Sequence, residues 1–149
     1  MSKEVEVSLG NSRTIFKRSS IDGLDATSCW QSINDFIEKN PKLTKASNSS
    51  FIYFLESSED ILKQSTPSCL VGTEVIGFCD SELLGDFDLE SMDLSVSTVS
   101  SYEYTTELDM KDIFFAEKAI REAGSYLPMW RVRFSGASAQ LIHLEFWKS

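Results

Sequence analysis

The chain has 149 residues, 42% of them hydrophobic, and a formal net charge of -9. That length suits one domain or two small fused units. The acidic balance disfavours nucleic acid, which is bound through clustered Lys and Arg, and without a long apolar run there is no membrane-spanning helix. The opening Met1-Ser-Lys-Glu-Val-Glu-Val7 lacks a signal-peptide core, which predicts a cytoplasmic protein. Cys29, Cys69 and Cys79 are odd in number and have no metal-type spacing, so they read as buried free thiols.

In chain order, 4–17 reads as a strand, with Val5, Val7 and Leu9 alternating with polar residues and a bend or bulge at Gly10-Asn11-Ser12. Asp25, Thr27 or Ser28 can cap a helix running to about Asn40, with Trp30, Ile33 and Ile37 at helical spacing and Pro41 as its stop. A polar loop over 42–50 leads to a strand, Phe51-Ile-Tyr-Phe-Leu55. The acidic stretch 57–68 has room for a helical turn. Residues 69–78 are a further strand, with Gly72 and Gly77 as bulges or close-approach points.

An acidic loop is expected from Asp80 to Met92, and its carboxylates do not match a calcium-loop spacing, so no metal is assigned. The pattern then restarts. Residues 94–104 are a strand, and Asp109 caps a helix to about Gly124 with Met110, Ile113, Phe114, Ala116 and Ile120 on its apolar side. The order strand, helix, strand, strand thus occurs twice. It predicts an α+β fold of two tandem β-α-β-β units, about 1–80 and 92–149 within a single domain over 1–149, with antiparallel sheets. Two such units place a central ligand cleft where they meet.

The last hairpin organises the chain. Its arms are Trp130–Phe134 and Gln140–Trp147, turning through Ser135-Gly-Ala-Ser-Ala139. Trp130, Val132 and Phe134 alternate with Met129, Arg131 and Arg133; Ile142, Leu144 and Phe146 alternate with Leu141, His143, Glu145 and Trp147. Matching the apolar faces opposes Trp130 to Leu144 and Val132 to Ile142, which puts Glu145 opposite Met129 and diagonal to Arg131. That carboxylate is either a satisfied ion pair with Arg131 or a receptor for a cation. In the second case Trp147 on the same face supplies a ring, and Phe51 and Tyr53 supply more if their strand face meets the cleft. His143, the single histidine, is placed at the cleft rim or in an ordinary hydrogen bond. Trp30 and Trp130 read as core, and Tyr102 and Tyr104 either border the cleft or pack.

Gly23 ahead of the helix with Trp30, then Pro67, Val71-Gly-Thr-Glu-Val75 and the terminal Leu144-Glu-Phe-Trp147 together resemble the GyrI-like small-molecule-binding domain, also called the AraC-type effector-binding domain. The resemblance covers essentially the whole chain. It implies two β-α-β-β units about a pseudo-twofold axis and a cleft Glu, here Glu145, that recognises hydrophobic, cationic, drug-like effectors. The chain departs from the pattern at Ser100-Ser-Tyr102, where relatives often carry His-Gly, and at Trp147-Lys-Ser149, where they often end in proline. The first strand starts close to Met1, so no DNA-reading segment is expected and a stand-alone binder is favoured, with no cofactor and no nucleic acid or membrane as partner. Two alternatives come from the same resemblance: a hydrolase of strained electrophiles with Glu145 activating water, and a DNA-gyrase-inhibitor-like interaction protein.

Overall fold

The computed structural model describes residues 3–105, 108–135 and 141–149. Residues 136–140 of the expected hairpin turn and second arm lie outside the described residues. Among the described residues, nine strands form one sheet in which every pairing is antiparallel, with four helices. The fold is α+β, and the two halves share a single sheet.

The first strand region splits at Gly10-Asn11 into β1 (Lys3–Leu9) and β2 (Ser12–Ser20). The region expected as an acidic loop holds a short helix, α3 (Ser81–Asp86), and a strand, β6 (Glu90–Leu94), ahead of β7 (Ser97–Tyr104). Asp80 caps that helix by accepting from the Glu82 N–H, an acidic N-terminus that loop composition concealed. β1 pairs β7 and β2 pairs β6 in one uninterrupted register, Leu9 opposite Ser97 and Ser12 opposite Leu94. Residues 3–20 and 90–104 therefore run side by side as two long bent strands. The Val96 N–H donates to Asn11 Oδ1 across the two bends.

Four further strands complete the circuit: β4 (Ser50–Phe54), β5 (Ser68–Gly77), β8 (Tyr126–Ser135) and β9 (Leu141–Lys148). The pairing order runs β7, β9, β8, β4, β5, β2 and returns to its start through the β1–β7 and β2–β6 ladders. A short strand, β3 (Leu43–Lys45), lies within the expected polar loop and extends β5. Gly72 lets β2 approach β5: a Cβ there would stand 2.7 Å from the Ile15 carbonyl oxygen. Gly77 has φ +121°, which disfavours any other residue.

The helices cover the outer face. α1 (Ala26–Glu38) is capped by Asp25, which accepts from the Ser28 N–H, and buries Ile33, Phe36 and Ile37. α4 (Met110–Ala123) is capped by Asp109 and buries Ile113, Phe114 and Ile120. α2 (Ser58–Leu62), the expected helical turn, is tied to α4 through Glu117. Trp30 and Ile113 pack against the same core cluster, so both main helices serve one side of the sheet. Trp30 packs edge-on to Phe134, and Tyr102 joins Tyr126 through their hydroxyls at 2.7 Å on that same outer side. The inner face carries a second cluster, Phe16, Phe51, Tyr53, Leu70, Val99 and Trp147.

The hairpin faces are those the alternation demands, but the register differs from the expected one by two residues. Trp130 opposes Phe146, Val132 opposes Leu144, and Arg131 opposes Glu145 directly. A two-residue shift leaves every side chain on its own face, so periodicity cannot detect it. Aromatic packing favours the observed register. Phe54, Trp130 and Phe146 occupy directly opposed positions on β4, β8 and β9, stacked at centroid separations of 4.3 and 5.8 Å. Each such pair contributes about 0.5–1.5 kcal/mol beyond its area. Trp130 is fully buried, with its indole N–H on the Glu56 carbonyl at 2.8 Å.

Candidate functional site

The candidate site is a row of side chains crossing four strands on the inner face. Tyr53 on β4 opposes Arg131 on β8, Arg131 opposes Glu145 on β9, and Glu145 opposes Ser101 on β7. The next row holds Phe51, Arg133, His143 and Glu103 in the same order. Register alone thus brings Glu145, Trp147, Tyr53, Phe51 and His143 onto one face from distant parts of the chain.

Arg131 lies at the centre. Its Nε donates to Glu145 Oε1 at 2.8 Å, and its Nη1 donates to the Tyr53 hydroxyl at 3.3 Å and stands 3.6 Å from Glu74 Oε2. Its guanidinium carbon is 4.4 Å from the Phe51 ring centroid, 5.3 Å from that of Trp147 and 5.8 Å from that of Tyr53. Glu145 Oε2 accepts from Ser101 Oγ at 2.9 Å and from Arg133 Nε at 3.3 Å. The Trp147 indole N–H donates to Ser97 Oγ at 3.0 Å, and the Tyr53 hydroxyl meets Thr14 Oγ1 at 3.0 Å.

The inner face is filled. Arg131 is 2% exposed, Glu145 1%, Phe51 1% and Tyr53 0%. In place of an open cleft around an unpaired carboxylate, the carboxylate is neutralised by an arginine from the neighbouring strand. The expected diagonal relation between Arg131 and Glu145 is a direct one because of the two-residue change of register.

The electrostatics follow from that geometry. Burial pushes the Glu145 carboxyl up, but the Arg131 and Arg133 charges and the Ser101 hydroxyl outweigh burial and hold its pKa below the ordinary value. Burial opposes the charge on Arg131; Tyr53, Glu145 and Glu74 more than restore it. Burial raises the Tyr53 hydroxyl, opposed by Arg131. Burial and then Arg133 lower the His143 imidazole, against smaller opposing effects of Glu145 and Glu103. His143 is half-buried, 3.6 Å from Glu103, with Nδ1 buried and without a partner among the described residues. Arg131, Arg133, Ser101 and Glu74 complete the site; of these the sequence singles out Arg131 as a partner, the ion-pair alternative to a bound cation at Glu145. The available signal was the alternation of Arg131 and Arg133 with Trp130 and Val132, which places both arginines on the Glu145 face.

The three cysteines are free; burial, then the nearby Cys29, pushes the Cys69 thiol up to about 12. Among the described residues no helix is long and apolar enough to cross a membrane.

No protein-family profile matches the sequence, and no curated protein matches it either. Solved structures do match in fold. The EcmrR C-terminal domain superposes with a TM-score of 0.66 at 12% identity, covering 99% of this chain and 97% of that one. SAV2435 bound to tetraphenylphosphonium gives a TM-score of 0.62 at 7% identity, covering 99% and 94%. A hydrolase from Listeria innocua gives 0.58 at 8% identity, covering 97% and 90%. At these identities the likeness concerns architecture: the chain has the fold of the GyrI-like small-molecule-binding domains that its sequence resembles.

Proposed function

We propose that this chain is a small-molecule-binding domain taking hydrophobic, cationic ligands on its inner sheet face. Glu145 is the charge partner, Phe51, Tyr53 and Trp147 are the ring walls, and His143 stands at the rim. The observation that carries this reading is the receptor itself: a buried carboxylate with three aromatic rings around a flat delocalised cation, the Arg131 guanidinium. Flat organic cations draw on the same charge pairing and ring-face attraction. The bound tetraphenylphosphonium of SAV2435, a protein of like fold, supports hydrophobic cations, though not planarity, as the ligand class. A ligand seated there takes the place of the Arg131 head group.

The hydrolytic alternative finds no support in this arrangement. Both Glu145 oxygens are engaged, and a carboxylate held below its ordinary pKa is a weaker general base. Calorimetric titration of the protein with tetraphenylphosphonium, a cationic rhodamine ester and a neutral dye of similar shape tests the reading. The preference for the cations over the neutral dye should fall by about 2–5 kcal/mol in Glu145→Gln, because either ligand displaces Arg131 and that cost cancels in the comparison. An unchanged preference would remove Glu145 from the site.

A further inference from the structure

The partners of Arg131 come from three other strands. Phe51 and Tyr53 belong to β4, Glu74 to β5, and Glu145 and Trp147 to β9. A salt bridge alone needs only the carboxylate. Here the guanidinium also stands 4.4 Å from the Phe51 centroid and within 6 Å of two further rings, the environment in which a planar, weakly hydrated cation outperforms an ammonium. Every member of this shell sits on a paired strand, so its geometry is set by the sheet and not by Arg131.

We infer that Arg131 is the built-in occupant of a guanidinium receptor, so that the wild-type site is closed to cations until this side chain leaves. Removing it exposes a site selective for alkylguanidinium compounds. The inference rests on the reading of the inner face as a cation receptor. It adds that the chain supplies the first cation itself and that the receptor is shaped for planar guanidinium rather than for cations in general. Arg131 is thereby a specificity-determining residue: a ligand of the wild-type chain must outcompete a tethered cation, whereas a ligand of the vacated receptor need not.

The atoms removed by Arg131→Ala are those of N-ethylguanidinium, which makes that ion the natural probe. Left behind would be Glu145, Glu74 and the three rings, with a buried carboxylate missing its main partner. Arg133, 3.3 Å from Glu145 and one-quarter exposed, is the side chain able to compete for the vacancy.

The experiment is a thermal-shift titration of Arg131→Ala with N-ethylguanidinium at millimolar concentrations, alongside ethylammonium, wild type, Arg131→Lys and Arg131→Ala/Glu145→Gln. The expected result is a saturable rise in Tm for Arg131→Ala, half-complete at a concentration about tenfold or more below that needed with ethylammonium. Wild type and Arg131→Lys, whose sites are filled, should not respond, nor should the double variant. If Arg131→Ala is unfolded in buffer, circular dichroism reads the same titration, and N-ethylguanidinium must restore folding at concentrations below those that denature wild type. No rise and no restored folding, whether because Arg133 collapses into the vacancy or because no receptor persists, overturns the inference; so does an equal response to ethylammonium. Wild type titrated with tetraphenylphosphonium separates the two readings. Rescue without tetraphenylphosphonium binding sinks the cationic-ligand function and leaves the built-in occupant standing, and binding without rescue does the reverse.

Discussion

Arg131 and Glu145 face each other directly across β8 and β9, Nε to Oε1 at 2.8 Å, with 2% and 1% of their side chains exposed. Two charges this deep are stable only together. Removing one strands the other in a low-dielectric interior, at a typical cost of 3–5 kcal/mol. Replacing Arg131 by Met, which keeps much of the volume, should therefore lower stability by about 3 kcal/mol, the low end of that range because Arg133 remains near Glu145. The double variant Arg131→Met/Glu145→Gln should recover part of the loss. Urea denaturation of the four proteins in a double-mutant cycle measures the coupling, and a coupling of zero would show the contact to be energetically idle.

Glu145→Gln tests the pair from its other side. An unpaired buried carboxylate would gain stability from this change. The observed pair predicts a loss of about 2–3 kcal/mol, because among the described residues Arg131 keeps only Glu74 at 3.6 Å as an ionic partner. A melting temperature at or above that of wild type would contradict the pairing.

Acid should destabilise the fold in two stages. His143 has a folded pKa below its ordinary 6.5, so below that pH the unfolded chain takes up the proton more readily and stability falls. Glu145 has a folded pKa below its ordinary 4.5, so its contribution is full above that value and disappears as pH falls through the folded pKa. Stability measured from pH 8 to 3 in wild type, His143→Gln and Glu145→Gln should show the first stage missing from one variant and the second diminished in the other.

Gly72 sits where β5 meets β2, and its missing Cβ leaves room for backbone. In Gly72→Ala the new methyl would stand 2.7 Å from the Ile15 carbonyl oxygen and 3.0 Å from Phe16 Cβ. Backbone paired on both sides cannot yield readily, so a loss of about 1–3 kcal/mol is expected by thermal melting. An unchanged melting temperature would mean that the β2–β5 ladder is looser than it looks.

Glu117 joins the two helices on the outer face. Buried at 1% exposure, it accepts from Ser58 Oγ at 2.6 Å and from the Ser58 N–H at 3.3 Å, and pairs with Arg121 at 2.6 Å. Glu117→Leu leaves the start of α2 without its acceptor and should cost about 2–3 kcal/mol. Hydrogen exchange should show faster opening of 58–62 specifically, with the sheet amides protected as before.

The sequence by itself determined which residues share a face and where the two long helices begin. Asp25, one of three candidate caps for the first, and Asp109 for the second stand ahead of helical apolar stripes, and both accept from first-turn N–H groups. The alternation around Trp130 and Phe146 separates the helix-covered face from the charged one, because side-chain direction along a strand is a local property with a period of two. The repeated strand and helix order also reached the α+β class. The tertiary structure decided everything that depends on pairing between distant segments. The two-residue register of β8 against β9 is invisible to periodicity, and the Phe54, Trp130 and Phe146 stack that favours it draws one ring from a strand more than seventy residues earlier in the chain. The short β3 and β6 are strands only because β5 and β2 pair with them. The contents of the site are of the same kind: whether Glu145 awaits a cation or already holds one turns on which side chain stands opposite, and strand pairing puts Arg131 there.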